Sequence, residues 1–313
     1  MNLTDRIYVA GHHTLLGKAL LRQLQQRDYS AVIASSAEEP DLTDRADVDA
    51  YFNDVRPDYV FLAAGMTGGI GANQKIPAEL MLNNLLIECQ VIDSAQKYGT
   101  RKLVYFASSC SYPRSCRQPM QVASLMTGPL EPTNEAYATA KIAGIKLCQA
   151  YRQQYGVDMI SVIPANMFGP GDEFGVEDSH VIAALIVKMH RAKRAGMEKI
   201  DVWGSGSPRR EFIYVDDVAD AAIFLMENYS SGAPINVGNG SDVSIREIAQ
   251  MIKEVVGYHG ELCFDRNRPD GMPLKALDSS ELLAMGWQPK TPLRLGLERT
   301  YRWFVETNGV IDS

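Results

Sequence analysis

Residues 7–27 read IYVAGHHTLLGKALLRQLQQR, a short apolar run followed by two glycines and a helical pattern. Gly11 ends the apolar run, and a glycine there lets the backbone turn sharply beneath a pyrophosphate. Gly17, six positions on, lets the helix pack closely and aim its N-terminal N–H groups at the phosphates. Thr14 stands where the complete G-x-x-G-x-x-G form has its middle glycine. The stretch predicts a dinucleotide-binding turn, with an ordinary tight turn as the alternative.

Beyond this stretch, short β-rich runs alternate with longer helical patterns. Runs that are apolar throughout are typical of parallel strands that helices cover on both faces. The sequence therefore predicts an α/β fold, a Rossmann-like doubly wound parallel sheet. The predicted strands here are Arg6–Ala10, Ala31–Ile33, Asp58–Ala63, Lys102–Phe106 and Met159–Ile163, and the predicted helices are Leu15–Arg27, Arg45–Val55, Pro77–Tyr98 and Ala136–Tyr155.

The alternation loosens after Pro164, where segments rich in glycine and proline interrupt the pattern. We predict a dinucleotide-binding domain over residues 1–165 and a smaller C-terminal α/β lobe for a nucleotide-sugar substrate over 166–313. Segments around 212–240 are expected to fold back onto the first domain. The predicted helices of this half are Ser179–Arg194, Val215–Asn228, Ser244–Val256 and Pro292–Phe304, and the predicted strands are Ile200–Trp203 and Ile235–Gly238.

The composition excludes several classes of protein. The 313 residues carry 31 Lys and Arg against 38 Asp and Glu, a net charge of −7, with 46% hydrophobic and 22% charged residues. These values are typical of a soluble globular protein and argue against nucleic acid as a partner. No apolar run approaches the roughly 18 residues of a membrane span, and no secretory signal is visible, so we expect a cytoplasmic protein without a membrane partner. Five cysteines without a C-x-x-C pair predict free thiols and no metal site.

A tyrosine and a lysine four residues apart, Tyr137 and Lys141, lie on one face of a predicted helix. A neighbouring ammonium is expected to lower the pKa of the phenol and make it a proton donor or acceptor at a carbonyl or alcohol. Ser108 follows the fourth predicted strand, where open α/β sheets place their ligand sites. A surface Tyr/Lys pair is the alternative, since this spacing alone is common.

Together the motifs resemble those of the extended short-chain dehydrogenase/reductases that act on nucleotide sugars. More narrowly, the chain is similar to the GDP-L-fucose synthase family over nearly its whole length. The resemblance implies C3/C5 epimerisation and C4 keto reduction of GDP-4-keto-6-deoxy-D-mannose, with NADP(H) as cofactor and a homodimer as the assembly. The motifs are Gly11–Gly17, Ala63–Gly65, Gly68–Ile70, Ser108–Tyr112, Leu130–Asn134, Tyr137–Lys146, Pro164–Pro170, Ser179-His180, Val202–Gly206 and Arg210–Phe212.

Epimerisation needs one group to remove a proton next to the carbonyl and another to return it from the opposite face. Cys110 and His180 match the family positions for this role, with a buried thiol and a capping or solvated histidine as the alternatives. In the reduction that follows, Tyr137 supplies the proton, Ser108 hydrogen-bonds the developing alkoxide, and Lys141 holds the nicotinamide ribose.

The resemblance also implies the binding residues. Lys188 stands where the family has arginine, which keeps the charge and loses the bidentate geometry. Arg210 is the best candidate for the pyrophosphate, whereas its neighbour Arg209 is expected to be solvated. The substrate positions are Lys188, Trp203, Arg210 and Lys275, with Asn166 also lining that site, and the cofactor positions are Gly11, His13, Thr14, Gly17, Asp41, Leu42, Ala63, Ala64, Tyr137, Lys141, Pro164, Asn166 and His180.

Few residues bear on the choice between NAD and NADP. An acidic residue at the end of the second strand would favour NAD, and its absence from Ala34-Ser35-Ser36 disfavours NAD. The family uses NADPH, but His13, Ser35 and Ser36 stand where it has the basic residues for the 2′-phosphate. Lys275 remains as a possible partner. Asp41-Leu42 resembles the adenine-contacting pair, with a helix N-cap as the alternative.

Three other functions remain open. The same residues suit a related GDP-4-keto sugar, such as the precursor of GDP-L-colitose or a 6-deoxyheptose. A simple 4-epimerase or dehydratase with NAD fits less well, because it has no use for the pair of Cys110 and His180. A non-catalytic dinucleotide sensor is the last alternative, although Ser108, Tyr137 and Lys141 are all present.

Overall fold

A six-stranded parallel sheet lies at the centre of the fold in the computed structural model, which describes residues 1–33, 39–174, 179–268 and 270–307. The first, third and fourth strands along the chain are almost entirely buried, as expected of a sheet that helices cover on both faces. The predicted doubly wound α/β fold is confirmed. From one edge to the other, the strands are β10 (Ile235–Val237), β5 (Asp158–Pro164), β4 (Lys102–Phe106), β3 (Tyr59–Leu62), β1 (Ile7–Ala10) and β2 (Val32–Ile33).

The helices begin and end close to the predicted residues where the apolar period is long. Two shorter helices, Ile70–Lys75 and Ser280–Ala284, were not predicted. Ser179 and His180 precede the helix Val181–Arg194 rather than form its first turn, because His180 has the extended backbone of an N-cap residue. The helices are α1 (Leu15–Gln25), α2 (Arg45–Val55), α3 (Ile70–Lys75), α4 (Pro77–Lys97), α5 (Glu135–Tyr155), α6 (Val181–Arg194), α7 (Val215–Asn228), α8 (Ile245–Val256), α9 (Ser280–Ala284) and α10 (Leu293–Thr307).

Short strands organise the chain beyond the central sheet. The parallel pair β6 (Asn166–Phe168) and β9 (Phe212–Tyr214) lies next to the end of β5. A second parallel pair is formed by β7 (Lys199–Trp203) and β12 (Glu261–Asp265). In a three-stranded sheet, β8 (Arg209–Arg210) pairs antiparallel with β11 (Val243–Ser244) and parallel with β13 (Leu274–Lys275). This last sheet brings two predicted substrate residues, Arg210 and Lys275, into register with each other.

The hydrophobic core has two clusters. The larger one fills both faces of the central sheet, and the smaller one joins α6, α8 and α10 to β7 and β9. Two segments of the second half return to the first: β10 pairs with β5, and α7 packs against α1. Arg22 of α1 contacts Asp216 of α7 at 2.5 Å, and Arg27 pairs with Asp220. In the described residues, no helix is both apolar enough and long enough to cross a bilayer.

Candidate active site

The turn between β1 and α1 is shaped by its two glycines. Gly11 has a φ of +83°, and a Cβ added to it would lie 2.4 Å from the Cα of Ala64. A Cβ on Gly17 would lie 2.0 Å from the carbonyl oxygen of Gly11. Both approaches are to backbone, which no rotamer change relieves. The predicted glycines are therefore the residues that this turn needs to hold its shape.

Thr14 replaces the middle glycine and caps the helix. Its hydroxyl accepts a hydrogen bond from the N–H of Gly17 at 3.0 Å and donates to the carbonyl of Gly11 at 2.8 Å. A longer contact of 3.3 Å reaches the carbonyl of Ala63. Thr14 is the N-cap of α1 with extended backbone, so a side chain is tolerated there. The first turn of α1 therefore meets the end of β3 at the predicted dinucleotide site, and Ala63 and Ala64 lie on its rim.

A carboxylate that the sequence argument missed lies beside this turn. Glu39 accepts a hydrogen bond from the N–H of Gly11 and contacts the Nδ1 of His13 at 2.9 Å. The Nδ1 of His12 lies 3.5 Å from the same carboxylate. The sequence has no acidic residue at 34–36, but Glu39, three residues further along the chain, folds back onto the glycine turn. Ser35 and Ser36 lie outside the described residues.

The next predicted pair, Asp41 and Leu42, divides into two roles. The Asp41 carboxylate accepts hydrogen bonds from the N–H and the hydroxyl of Thr43, at 2.9 and 2.6 Å. Asp44, not Asp41, is the N-cap of α2. The Leu42 side chain is buried in the larger hydrophobic cluster. The Leu42 side chain thus serves packing, whereas the Asp41 side chain is exposed.

Ser108 and Tyr137 meet at the carboxyl end of β4. Ser108 caps a 3-10 turn over Ser109–Ser111, and its hydroxyl accepts the N–H of Cys110 at 3.2 Å. Tyr137 lies in the first turn of α5, close enough to Ser108 for the hydroxyl to stabilise the phenolate. Lys141, one turn further along α5, places its Nζ 5.9 Å from the centre of the Tyr137 ring. The three residues of the predicted proton-transfer group are therefore neighbours.

The charge state predicted for Tyr137 is not that of this structure. Burial raises the pKa of Tyr137, and the nearby Cys110 adds to the increase, while the Ser108 hydroxyl opposes it. Lys141 does not lower the pKa as expected, because its ammonium is buried and donates to the carboxylate of Glu88 at 2.9 Å. The phenol of Tyr137 is thus a proton donor at neutral pH.

The sulfur of Cys110 is held by two side chains from distant parts of the chain. The Nζ of Lys275 and the Nδ2 of Asn134 each donate to its sulfur at 3.2 Å. Burial raises the pKa of the thiol, but the charge of Lys275 and the hydrogen bonds from Ser108 and Lys275 outweigh it, so the pKa is lowered overall. Arg210 acts in the same direction. This environment differs from that of Cys148, where burial raises the pKa to about 12.

His180 sits at the N-cap position of α6 but makes no side-chain capping hydrogen bond. The surrounding protein atoms and the charge of Lys275 lower the pKa of its imidazole, and Glu173 opposes them. The capping alternative is therefore not realised, and the neutral imidazole is available to a ligand. The positive charge of Lys275 thus acts on both predicted acid/base groups, Cys110 and His180.

The predicted substrate residues line the second lobe. Arg210 donates to the carbonyls of Met272 at 2.5 Å and Asp270 at 3.3 Å. Lys188 donates to the carbonyl of Asp201 at 2.7 Å, and the indole of Trp203 on the same strand is 41% exposed. These residues present cations and an aromatic face, which suit a diphosphate and a base or sugar ring. Arg209 is not simply solvated, since it pairs with Asp242 and Glu247.

Asn166 pairs with the backbone of Glu211, whose buried carboxylate sequence reasoning missed. Pro164 ends β5, and the Nδ2 of Asn166 donates to the carbonyl of Glu211 at 2.9 Å. The Glu211 side chain accepts the N–H groups of Asn239 at 2.6 Å and Leu277 at 2.7 Å. It thereby fixes the chain on both sides of the adjoining Arg210. The Arg-Glu-Phe motif was the only sequence signal for it.

The predicted residues form two groups. The glycine turn, Ala63 and Ala64 form one. The other consists of Ser108, Cys110, Tyr137 and Lys275. The charge of Arg210 acts on Cys110, and that of Lys275 acts on His180. Lys275 contacts the sulfur of Cys110, so its ammonium lies with the second group. Glu39, Glu88, Asn134 and Glu211 were not predicted as site residues.

Comparison with known proteins identifies a family that this chain matches. The model of the NAD dependent epimerase/dehydratase family matches residues 7–238. The chain is 51% identical over 302 residues to a protein named probable GDP-L-fucose synthase 1 from Oryza sativa subsp. japonica, covering 96% of this chain and 92% of that protein.

Two solved structures are also similar. A GDP-6-OMe-4-keto-L-xylo-heptose reductase from C. jejuni has 32% identity and a TM-score of 0.93, covering 98% of this chain and 99% of that one. A GDP-L-fucose synthetase from Naegleria fowleri bound to NADP has 28% identity and a TM-score of 0.91, covering 99% and 96%. With the glycine turn, the Tyr/Lys pair and these matches together, the chain belongs to the NAD dependent epimerase/dehydratase family.

Proposed function

We propose that this chain is an NADP-dependent enzyme that converts GDP-4-keto-6-deoxy-D-mannose into GDP-L-fucose. The observation that carries the proposal is the 3-10 turn after β4, which joins two kinds of chemistry. Ser108, at its start, borders the phenol of Tyr137, and Cys110, two residues on, is held at 3.2 Å by an ammonium. A reductase alone needs the first group, and an epimerase that works next to a carbonyl needs the second. The named relatives support both.

The residues present fit a dinucleotide. A Cβ at Gly11 or Gly17 would collide with backbone, so the two glycines let β1 turn tightly into α1. The N-terminal N–H groups of such a helix suit a pyrophosphate. Lys141 is positioned beside Tyr137 to hold the nicotinamide ribose, and Asn166 and Pro164 border the site from the end of β5. The reduced nicotinamide, when bound, supplies a hydride for the C4 carbon of the sugar.

Epimerisation comes first in this proposal. The hydrogens on C3 and C5 lie next to the C4 carbonyl, so a base removes each as a proton and leaves an enolate. Cys110 accepts the proton that leaves carbon. His180, after taking a proton from solvent, returns a proton to carbon from the opposite face and is left as the neutral imidazole. The electron pair stays on the sugar throughout, so no redox change occurs in this step.

Reduction follows at C4. Tyr137 donates its proton to the oxygen as the carbonyl carbon becomes tetrahedral, and its raised pKa keeps that proton available at neutral pH. The hydroxyl of Ser108 hydrogen-bonds the developing alkoxide. One reduced nicotinamide is consumed for each sugar, and Tyr137 is reprotonated from solvent.

We also propose the division of labour between the lobes. Residues 1–165 bind the dinucleotide, and residues 166–313 bind the GDP-sugar through Lys188, Trp203 and Arg210. The two hydrophobic clusters support this division, although α7 and β10 pack with the first lobe.

A cytoplasmic homodimer is proposed as the assembly. Leu82 on α4 is 58% exposed, and a groove of about 260 Å³ lies beside α5. It is lined by apolar side chains, Val122, Leu125, Met126, Ile142 and Ile145, and also by Lys146 and Gln149. These features support pairing through α4 and α5. Light scattering of the purified chain is expected to give twice the monomer mass of 34.6 kDa, and a Leu82→Asp variant to give the monomer mass.

The test of function is incubation with GDP-4-keto-6-deoxymannose and NADPH, with nicotinamide absorbance and NMR of the product. Consumption of NADPH with formation of GDP-L-fucose is expected. Cys110→Ser and His180→Asn should lose solvent-deuterium incorporation at C3 and C5, and Tyr137→Phe should retain incorporation and lose reduction.

The heptose reductase, which aligns over 98% of this chain, supports a second candidate, reduction of a GDP-4-keto-heptose. A dideoxyhexose is the other sugar that the same residues suit. Turnover of one of those sugars without turnover of the hexose would favour that candidate and contradict the first.

A further inference from the structure

The buried lysines of this protein differ in what they contact. Lys102 donates to the carbonyls of Leu225, Met226 and Tyr229, between 2.6 and 3.0 Å. Lys141 pairs with a carboxylate, that of Glu88. In both cases the ammonium has strong acceptors, as a buried cation requires.

Lys275 has a different partner. It is 9% exposed, and the hydrogen-bond contact of its Nζ is with the sulfur of Cys110, at 3.2 Å. Within the described ranges, no Asp or Glu lies at ion-pairing distance from this ammonium. A neutral thiol is a weak acceptor, whereas a thiolate compensates a buried cation. The ammonium and the sulfur therefore stabilise each other best as an ion pair.

The fold fixes this contact from both sides. Lys275 is the second residue of β13 and lies in register with Arg210 of β8. Two residues before Lys275, the carbonyl of Pro273 accepts a hydrogen bond from the N–H of Arg209 at 2.8 Å. Cys110 is fixed by the 3-10 turn after β4. Neither group reaches the other through a long flexible loop.

We propose that Lys275 is the positioning residue that keeps Cys110 as a thiolate, so that Cys110 starts the cycle as the proton acceptor at the sugar ring. The catalytic part of this inference rests on the proposed function, but the ion pair itself does not depend on the substrate. When Cys110 takes a proton from carbon, the thiolate becomes a thiol and the electron pair of the C–H bond moves into the enolate. Return of that proton to solvent restores the ion pair.

Other groups around the sulfur act on the same equilibrium. Asn134 is a neutral donor to the sulfur, and the hydroxyl of Ser108 accepts the N–H of Cys110. Arg210 adds a second positive charge. Tyr137 is a neutral phenol. The charge of Lys275 also lowers the pKa of His180. Exchange kinetics alone would mix the effects on Cys110 and His180. The test must therefore report on the thiol directly.

The experiment measures the rate of alkylation of Cys110 by iodoacetamide between pH 5 and 10, read by mass spectrometry of the Cys110 peptide. Only the thiolate reacts, so the pH dependence gives the ionisation midpoint. The variants are Lys275→Met, Lys275→Arg and Asn134→Ser. In Lys275→Met the midpoint should rise by at least about one pH unit, which slows alkylation about tenfold at pH values below the wild-type midpoint. Lys275→Arg keeps the charge and should stay near the wild-type midpoint.

Asn134→Ser is the matched control, because it removes a neutral donor at the same distance. Its shift should be clearly smaller than that of Lys275→Met. An unchanged midpoint in Lys275→Met, or equal shifts in Lys275→Met and Asn134→Ser, would overturn the proposal. Unchanged alkylation of Cys116 and Cys263 serves as the folding control, and Lys275→Gln replaces Lys275→Met if that variant does not fold.

The alkylation titration separates this proposal from the proposed function. If no GDP-sugar is converted but the midpoint moves as expected, the function fails and the ion pair stands. If GDP-L-fucose forms and the midpoint does not move, the function stands and the role of Lys275 fails.

Discussion

The carboxylate of Glu88 accepts the ammonium of Lys141 at 2.9 Å in a pocket where both side chains are almost completely buried. The same oxygen accepts the hydroxyl of Tyr105 at 2.8 Å. Gly144 makes room for the arrangement, because a Cβ there would lie 2.4 Å from the Tyr105 ring. The lysine beside the proposed proton donor is therefore held by a carboxylate on α4 before any ligand arrives.

Glu88→Gln is expected to lower the free energy of unfolding by about 3–5 kcal/mol, because it leaves the Lys141 ammonium buried and unpaired. Urea denaturation measures this loss. Tyr105→Phe is the control, since it removes one hydrogen bond and keeps the ion pair, and its loss should be smaller. Equal stability of Glu88→Gln and wild type would contradict the assignment.

Glu39→Gln is expected to favour NADPH over NADH relative to wild type. The Glu39 carboxylate lies at the glycine turn, beside Gly11 and His13, where a negative charge repels a 2′-phosphate. The measurement is the ratio of kcat/KM for the two cofactors. Asp47→Asn, which neutralises an exposed carboxylate on α2, should leave the ratio unchanged, and a falling NADPH preference in Glu39→Gln would refute the argument.

The carboxyl group of Asp172 is expected to make the stability of the folded state depend on pH. Burial raises its pKa to about 7, and the charge of Glu173 adds to this, while the N–H of Glu173 opposes it. The folded state then holds a proton that the unfolded state loses above its pKa of 3.8. Stability from this group is full below pH 3.8 and is lost as the pH rises through 7.

Asp172→Asn removes that loss. Its Tm should fall less than that of wild type between pH 5 and pH 8, as measured by thermal unfolding at both values. Glu173→Gln, at the exposed neighbouring residue, should change this difference less. A parallel fall in Asp172→Asn and wild type would show that Asp172 is ionised in the folded state.

Gly17→Ala tests the glycine turn. Its Cβ would meet the carbonyl oxygen of Gly11 at 2.0 Å, so the turn must shift and both stability and NADPH affinity should fall. Gly232→Ala is the matched control, because the nearest atom to its Cβ is a side-chain carbon of Arg152 at 3.5 Å. Isothermal titration with NADPH compares the two. Wild-type affinity in Gly17→Ala would contradict the role given to this turn.

Sequence periodicity was sufficient for the long elements. The predicted bounds of α2 and α7 are the observed ones, since each helix carries an apolar stripe over three or more turns. The strands β8, β11 and β13 have two residues each, which is too short for any period. Their pairing depends on residues far apart in the chain, so no local pattern predicted them.

The site residues could be predicted from the sequence where they belong to a local motif. The glycine turn, Ser108, Tyr137 and Lys141 have fixed spacings with a chemical reason. The contact between Cys110 and Lys275 joins residues 165 positions apart, and Glu88 on a mixed helix has the pattern of a surface charge. Glu39 was missed because it lies several residues beyond β2 and reaches its place through tertiary folding.

The start of α5 carries Asn134, Tyr137 and Lys141 within two helical turns, about 10 Å along the axis. The sulfur that Asn134 touches and the phenol of Tyr137 therefore share one rigid frame of reference. Adding a residue between them would rotate Asn134 by about 100° away from the sulfur and leave the Tyr/Lys pair intact. Under the proposed function, the number of residues between Asn134 and Tyr137 therefore fixes the sulfur that accepts a proton relative to the phenol that serves the reduction. A change of length in this turn would move one relative to the other.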